Sequence, residues 1–533
     1  MDFALITIFR SGLLFIIRMN WVIWFFAAAI LFAIAGDLAK IMTSLNHNEH
    51  MYITAGVLVS QNKVLYRDFA YLQMPYLPLL YGGLYQLLGI TSFYFLWGKL
   101  VSFLALIASA SVLFLIARRA WGEVTIASGL AALFLLNMSI VNPAREASNY
   151  IVPVFLSFLA VYFFEIAQRN PNRKWLLMAI TGILSALAVG VKLTYAPILF
   201  PFMAVIVLFS IYSKESFLAG ITHQFLPFLA GLLIGFLPMA GFIVQDPAVF
   251  MFNNLGYHTI NTQWRILTGY TDNMSLSSKF VFAGETFLKA DNLMLLFGIL
   301  FGAGLTILHF RQTKQFSAGG VLALFLFLSG LISALFPTPS FSQYYAVPIS
   351  FLFILFIYLW AVKLDEAFLY RRMILTILVL SSLLYQGSSL FDSISKLRYR
   401  HNWTPLHVRD ISIKLREVLQ ENQPQANGKV ATLSPLFAVE AGLPIYPELA
   451  SGPFLYRVGD LLSAEQRNHF VGTSPATIHD LFEKDPPAAI LTGFEGELDQ
   501  PLVVFALAKG YKKIDLSNFE GNLYLYQAAT TNP

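Results

Sequence analysis

Apolar runs long enough to cross a bilayer recur along most of the first 390 residues, and no other feature narrows the possible folds so sharply. A helix rises about 1.5 Å per residue, so roughly 20 apolar residues cover about 30 Å of hydrocarbon. Such runs lie near residues 12–36, 94–117, 124–142, 150–168, 175–193, 196–212, 217–244, 293–309, 318–336, 344–362 and 373–390, which predicts eleven membrane helices. Only 12% of the 533 residues are charged, 57% are hydrophobic and the mean hydropathy is +0.64, which excludes a soluble multidomain enzyme with about a quarter of its residues charged. The absence of cysteine removes disulfide scaffolds, cysteine-based zinc sites, iron–sulfur clusters and thiol nucleophiles. A net charge of +5 gives no reason to expect nucleic acid, because Lys and Arg beside membrane spans report orientation instead.

The short connections are basic: Arg10, Arg18, Arg118, Arg119, Arg169, Arg173, Lys174, Lys214, Arg311, Lys314, Lys363, Arg371 and Arg372. The alternate loops, 37–93 and 245–292, are longer and mix signs. The positive-inside rule then puts the N-terminus in the cytoplasm and the C-terminus outside, in a multi-pass protein of the cytoplasmic (inner) membrane. Ala33, Ile34 and Ala35 mimic a cleavage site, but the first run is too long for a signal peptide and reads as a retained anchor. Past residue 391 the composition turns polar. KVATL (429–433), AAILT (488–492) and NLYLYQ (522–527) read as strands, and 408–422 and 501–511 as helices. The expected architecture is mostly α: a membrane bundle over 1–390 and an extracytoplasmic α/β domain over 391–533.

The loop after the first span carries the most chemistry. Asn46, His47, Asn48, Glu49 and His50 open a helical stretch in which Met51, Ala55, Leu58 and Val59 share an apolar face, with Glu49 in its first turn. Tyr66-Arg67-Asp68-Phe69 follows, then MPYLPLLYGGLYQLLG, which is apolar but too short to span and reads as an interfacial segment. With Asn48-Glu49, Tyr52, the Tyr-Arg-Asp-Phe run and Met74-Pro75-Tyr76 in this order, the chain resembles the GT-C polytopic glycosyltransferases that use polyprenyl-phosphate sugars, such as protein O-mannosyltransferases and aminoarabinose transferases. Many of those have Asp where this chain has Asn48.

The resemblance implies attack by an acceptor on the anomeric carbon of a sugar, with lipid-linked phosphate leaving and a carboxylate taking the proton. Glu49 is the candidate base; the structural alternative is a carboxylate favouring a helix N-terminus. His47 and His50 could hold a divalent metal with Glu49, or be polar surface. Three cations are candidates for the phosphate. Arg145 alternatively pairs with Glu146. Lys192 sits at the outer end of the fifth span, where it alternatively snorkels. Arg265 lies in the second long loop beside His258 and Trp264, which suit a sugar or an interfacial belt. Gln343, Tyr344 and Tyr345 stand where relatives carry an aromatic-rich outer motif, and with Tyr52, Arg67 and Asp68 they complete the candidate substrate contacts.

No Gly-rich phosphate loop and no G-x-S-x-G elbow occurs, so nucleotide-driven or serine-hydrolase chemistry is not expected. Glu165, His223 and Gln224 read as interhelical contacts, and Glu440, Glu448 and Arg457 have no assignable role. The function expected is transfer of a sugar from a polyprenyl-phosphate donor to an extracytoplasmic glycan, lipid or protein, with inversion. The alternatives are a transporter or flippase of lipid-linked glycans, whose matched inverted halves are absent from the sequence, and a noncatalytic scaffold.

Overall fold

The computed structural model describes residues 21–212, 217–313, 317–361, 367–422, 428–515 and 521–526; Arg10, Arg18, Lys214, Lys314, Lys363, the start of the first apolar run and the end of the last expected strand lie outside them. In chain order the principal helices are α1 (Trp21–Met42), α2 (Asn48–Ser60), α3 (Tyr76–Leu87), α4 (Tyr94–Trp121), α5 (Val124–Leu135), α6 (Met138–Ala144), α7 (Ile151–Arg169), α8 (Lys174–Val191), α9 (Leu199–Tyr212), α10 (Leu226–Gln245), α11 (Tyr257–Leu267), α12 (Leu276–Phe287), α13 (Ala290–Thr313), α14 (Ala318–Leu335), α15 (Ala346–Leu359) and α16 (Ala367–Lys396). Among the described residues ten helical segments are long and apolar enough to cross a membrane, and α5 with α6 makes up to eleven. Each predicted run has its helix.

The α5–α6 pair bends by 60° where a single span was expected. Asn137 stands at the break, caps α6 by accepting from Ile140 N–H at 3.2 Å and donates to Asn292 at 2.9 Å. Asp291 accepts from Met138 N–H at 2.7 Å, and Gln386 donates to the Leu136 carbonyl at 2.6 Å. An interrupted helix is tolerated at this depth only when neighbours satisfy the freed backbone groups, and α13 and α16 do so here. Elsewhere the bundle closes through small residues. A Cβ on Gly231 would lie 2.0 Å from the Ala179 carbonyl oxygen, so α8 and α10 meet backbone to backbone.

The outer loop folds into α2 and α3, which pack on each other and on the start of α4. The expected single apolar face of α2 gives way to burial all round: every residue from Glu49 to Val57 is buried. The cover on its remaining side comes from the C-terminal region. There α17 (Thr404–Asn422), α18 (Leu436–Glu440) and α19 (Pro453–Val458) accompany a four-stranded sheet in the order β1-β2-β4-β3. Its strands are β1 (Val430–Thr432), β2 (Ala489–Thr492), β3 (Lys512–Ile514) and β4 (Asn522–Leu525), with β1 parallel to β2 and the other pairs antiparallel. The edge strand β3 was not anticipated, since Lys512 and Lys513 are exposed and break the apolar pattern. The α18 helix sits on α2, with Phe437 against the His50 ring at 5.5 Å. Glu440 accepts from the backbone N–H groups of Phe93 and Phe95, a carboxylate placed at the N-terminus of α4.

Candidate active site

At the end of the bundle where the C-terminal region sits, a cavity of about 510 Å³ opens between the segment preceding α2, the start of α11, residues 341–344 and α19. Its walls include aromatic rings (Tyr52, Tyr150, Tyr257, Phe341, Tyr344, Phe454), neutral polar groups (Asn46, Asn48, Gln73, Asn261, Gln343), His47, His258 and two arginines, Arg265 and Arg457. None of its lining residues is Asp or Glu. Arg457 is held by Asn261 at 2.8 Å and the Tyr257 hydroxyl at 3.2 Å, and its guanidinium stacks near Trp264 and Phe454. Arg265 lies 5.5 Å from the Phe341 ring, and burial and the nearby Arg457 hold it below the usual guanidinium range. The Nε atoms of both arginines are buried without a partner. A pocket with two such cations and no acidic lining is built for an anion.

Behind the aromatic wall lies Lys192, at the break between α8 and the 3-10 turn Leu193–Ile198. Its ammonium donates to Asn149 at 3.2 Å and sits 3.2 Å from the Tyr150 ring centroid and 5.7 Å from that of Tyr344. Asn149 also accepts from the Tyr52 hydroxyl at 3.1 Å and donates to Gln73 at 3.1 Å, fixing three cavity elements at one side chain.

Glu49 does not reach this cavity. It is fully buried, with Lys99 Nζ 2.8 Å from Oε1 and 3.0 Å from Oε2, and each oxygen accepts a backbone N–H as well, Ala147 at 2.5 Å and Asn46 at 2.7 Å. With its oxygens fully engaged, the expected base is a clamp between the outer loop, α4 and segment 145–147. The adjacent Glu146 is freer: Oε1 accepts from Asn46 Nδ2 at 2.8 Å, and Oε2 has no partner. Burial and the Glu49 charge push its carboxyl up to about 7.

The metal set suggested by the sequence does not assemble. His47 points into the cavity against Phe454, Glu49 is spent on Lys99, and His50 is buried against Phe437, its imidazole driven down to about 3 by burial. Among the described residues no three His, Asp or Glu side chains come together to hold a metal ion. Arg145 likewise turns away, toward Met138 Sδ at 3.4 Å and the charge of Asp37, and burial lowers it to about 10.

Arg67 and Asp68 form a bidentate pair with each other, at 2.8 and 3.1 Å, with the Arg67 side chain 58% exposed. Asp68 also accepts from Val64 N–H at 2.8 Å, and Tyr66, at φ 69°, donates to the Gln73 carbonyl at 2.6 Å. The Tyr-Arg-Asp-Phe run is thus a turn that delivers Leu72 and Gln73 to the cavity. Arg67→Ala is expected to leave thermal stability and substrate turnover unchanged, as measured by melting and transfer assays on purified protein. Tyr345 is a core residue packed on Phe282 and Phe287. Trp264 backs the wall between Tyr270 and Arg457 instead of lining it. Tyr52, His258, Arg265, Gln343 and Tyr344 do line the cavity.

Lys99, Gln73, Asn261 and Phe454 were not anticipated, and Arg457 was named without a role. Lys99 carried a usable signal, a charge inside an apolar span that calls for a partner.

No family model matches the chain, and no curated protein matches it. Solved structures do resemble it. ArnT from Cupriavidus metallidurans bound to undecaprenyl phosphate aligns over 97% of this chain and 100% of that one, at 14% identity and a TM-score of 0.59. The same protein in the apo state gives 12% identity, coverage of 95% and 97%, and a TM-score of 0.59. The apo Archaeoglobus fulgidus oligosaccharyltransferase gives 13% identity, coverage of 93% and 73%, and a TM-score of 0.50. At such identities the likeness is one of fold. The chain is a multi-pass membrane protein with the GT-C fold, the architecture of these polytopic glycosyltransferases.

Proposed function

We propose that this protein transfers a sugar from a polyprenyl-phosphate donor to an acceptor on the extracytoplasmic side of the cytoplasmic membrane. The observation that carries the reading is the cavity with Arg265 and Arg457 and no acidic lining, within a GT-C fold. The ligand of the ArnT structure, undecaprenyl phosphate, fits the same chemistry. Sidedness is supported by the basic turns. Arg118 and Arg119 end α4, and Arg372 donates to Glu123 just beyond them at 2.5 Å. The cavity lies by the other end of α4, where Glu440 meets Phe93.

In this reading the bond between anomeric carbon and phosphate oxygen breaks, the carbon bonds to the acceptor oxygen or nitrogen, and the acceptor's proton passes to a carboxylate. Arg265 and Arg457 stabilise the charge gathering on the leaving phosphate. We assign the proton to Glu146 instead of Glu49, because its second oxygen is free and its carboxyl lies near 7. Glu146 does not itself line the cavity; it accepts from the side-chain amide of Asn46, which does. With base and leaving group on opposite faces of the ring the reaction inverts the anomeric centre.

Three predictions test this. Arg265→Gln and Arg457→Gln should each weaken binding of undecaprenyl phosphate to the purified protein about 10- to 100-fold, since a charge-assisted hydrogen bond contributes about 1.5–3 kcal/mol. Undiminished affinity in both variants would remove the phosphate assignment. Because the base must be ionised, the rate at subsaturating acceptor should fall about tenfold per pH unit below about 7. In cells, deletion should remove one sugar from the surface glycans and raise its lipid-linked donor. A lipid that changes leaflet without losing its sugar would instead identify a flippase.

A further inference from the structure

Glu49 and Glu146 meet at one residue: Asn46 gives its backbone N–H to the first at 2.7 Å and its side-chain amide to the second at 2.8 Å. Carboxylates this near one another repel, and a shared proton or a hard divalent cation ordinarily relieves the repulsion. Such a cation takes carboxylate and carbonyl oxygens as ligands. The same kind of oxygen set is present here, and an ammonium fills it. Lys99, on α4 and fully buried, lies 2.8 and 3.0 Å from the two oxygens of Glu49 and donates to the Arg145 carbonyl at 2.7 Å. Its ammonium is thus surrounded by three oxygens, of which Glu49 Oε2 and the Arg145 carbonyl accept hydrogen bonds from it. One turn further along α4, Ser102 donates to the Glu146 carbonyl at 2.7 Å, tying the same segment to the same helix.

We infer that Lys99 is a built-in cation, a positioning residue whose ammonium stands where a divalent metal ion would otherwise join the outer loop to segment 145–147. The site is then assembled without a metal at this place. The inference does not rest on sugar transfer, and its readouts are metal uptake and stability, so the two proposals can fail separately.

The experiment uses the full-length protein in detergent, stripped with EDTA and titrated with Mn2+ up to millimolar concentration, followed by electron paramagnetic resonance and by Tm. The wild type should take up no Mn2+ that Glu49→Gln abolishes, and its Tm should move by less than about 1 °C with EDTA or Mn2+. Lys99→Ala empties the oxygen set, so it should melt lower, take up about one Mn2+ and recover several degrees of Tm. Glu49→Gln added to Lys99→Ala should abolish that uptake. Stoichiometric Mn2+ binding by the wild type that depends on Glu49 would overturn the inference, as would a folded Lys99→Ala protein that ignores Mn2+. Should Lys99→Ala not fold, the wild-type titration alone decides between these outcomes.

Discussion

Glu49→Gln should lower the stability of the folded protein by about 3–5 kcal/mol, the usual consequence of removing one partner of a buried ion pair and stranding the other. The amide is nearly isosteric, but the geometry gives it no good orientation. Both carboxylate oxygens lie against the Lys99 ammonium, Oε2 as its hydrogen-bond acceptor, and each accepts from a different backbone N–H. Whichever way Gln is flipped, its NH2 faces Ala147 N–H or Asn46 N–H, and the ammonium of Lys99 loses its counter-charge. Melting curves of detergent-solubilised protein measure the effect. Adding Lys99→Met should recover part of the loss, because the unpaired charge goes with it; the coupling follows from the double-mutant cycle. A Glu49→Gln protein that melts like the wild type yet has lost transfer would return the role of base to Glu49.

Glu146→Gln should do the reverse. Its Oε1 has one partner, the Asn46 amide, which the carbonyl oxygen of Gln can keep, and its Oε2 has no partner to lose. Tm should therefore move little. The rate should fall about 10²- to 10⁴-fold, the usual contribution of a positioned general base. Turnover of a polyprenyl-phosphate sugar by reconstituted protein, at matched folded protein, is the measurement. More than a tenth of the wild-type rate would exclude Glu146 as the proton acceptor. Neighbouring carboxylates on one asparagine would thus divide the work, Glu49 for assembly and Glu146 for chemistry.

The spans were legible because length and apolarity alone determine whether a segment can cross hydrocarbon, and the strands β1, β2 and β4 because they are short apolar runs between polar turns. The bend at Asn137 was not, since it depends on Asp291, Asn292 and Gln386 arriving from other helices. In the site, the segment from Asn46 to Tyr52 could be singled out locally, but which of its side chains face the cavity could not. Glu49 and His47 are two residues apart in sequence and face different surroundings. Arg67 and Asp68 looked like ligands because charged residues in an outer loop attract that reading, yet adjacent opposite charges satisfied each other. Arg457 bonds Tyr257 across 200 positions of sequence, a proximity that no local pattern encodes.

The burial of α2 has a consequence for how the protein is made. Its last covering surface, α18 with Phe437, is synthesised almost four hundred residues after α2 itself. During that interval the spans can enter the membrane one by one, while α2 waits with an uncovered flank and α4 lacks the Glu440 carboxylate at its start. Maturation of the outer layer therefore waits for residues 436–440, and a chain stopped before residue 436 would be inserted but unfinished.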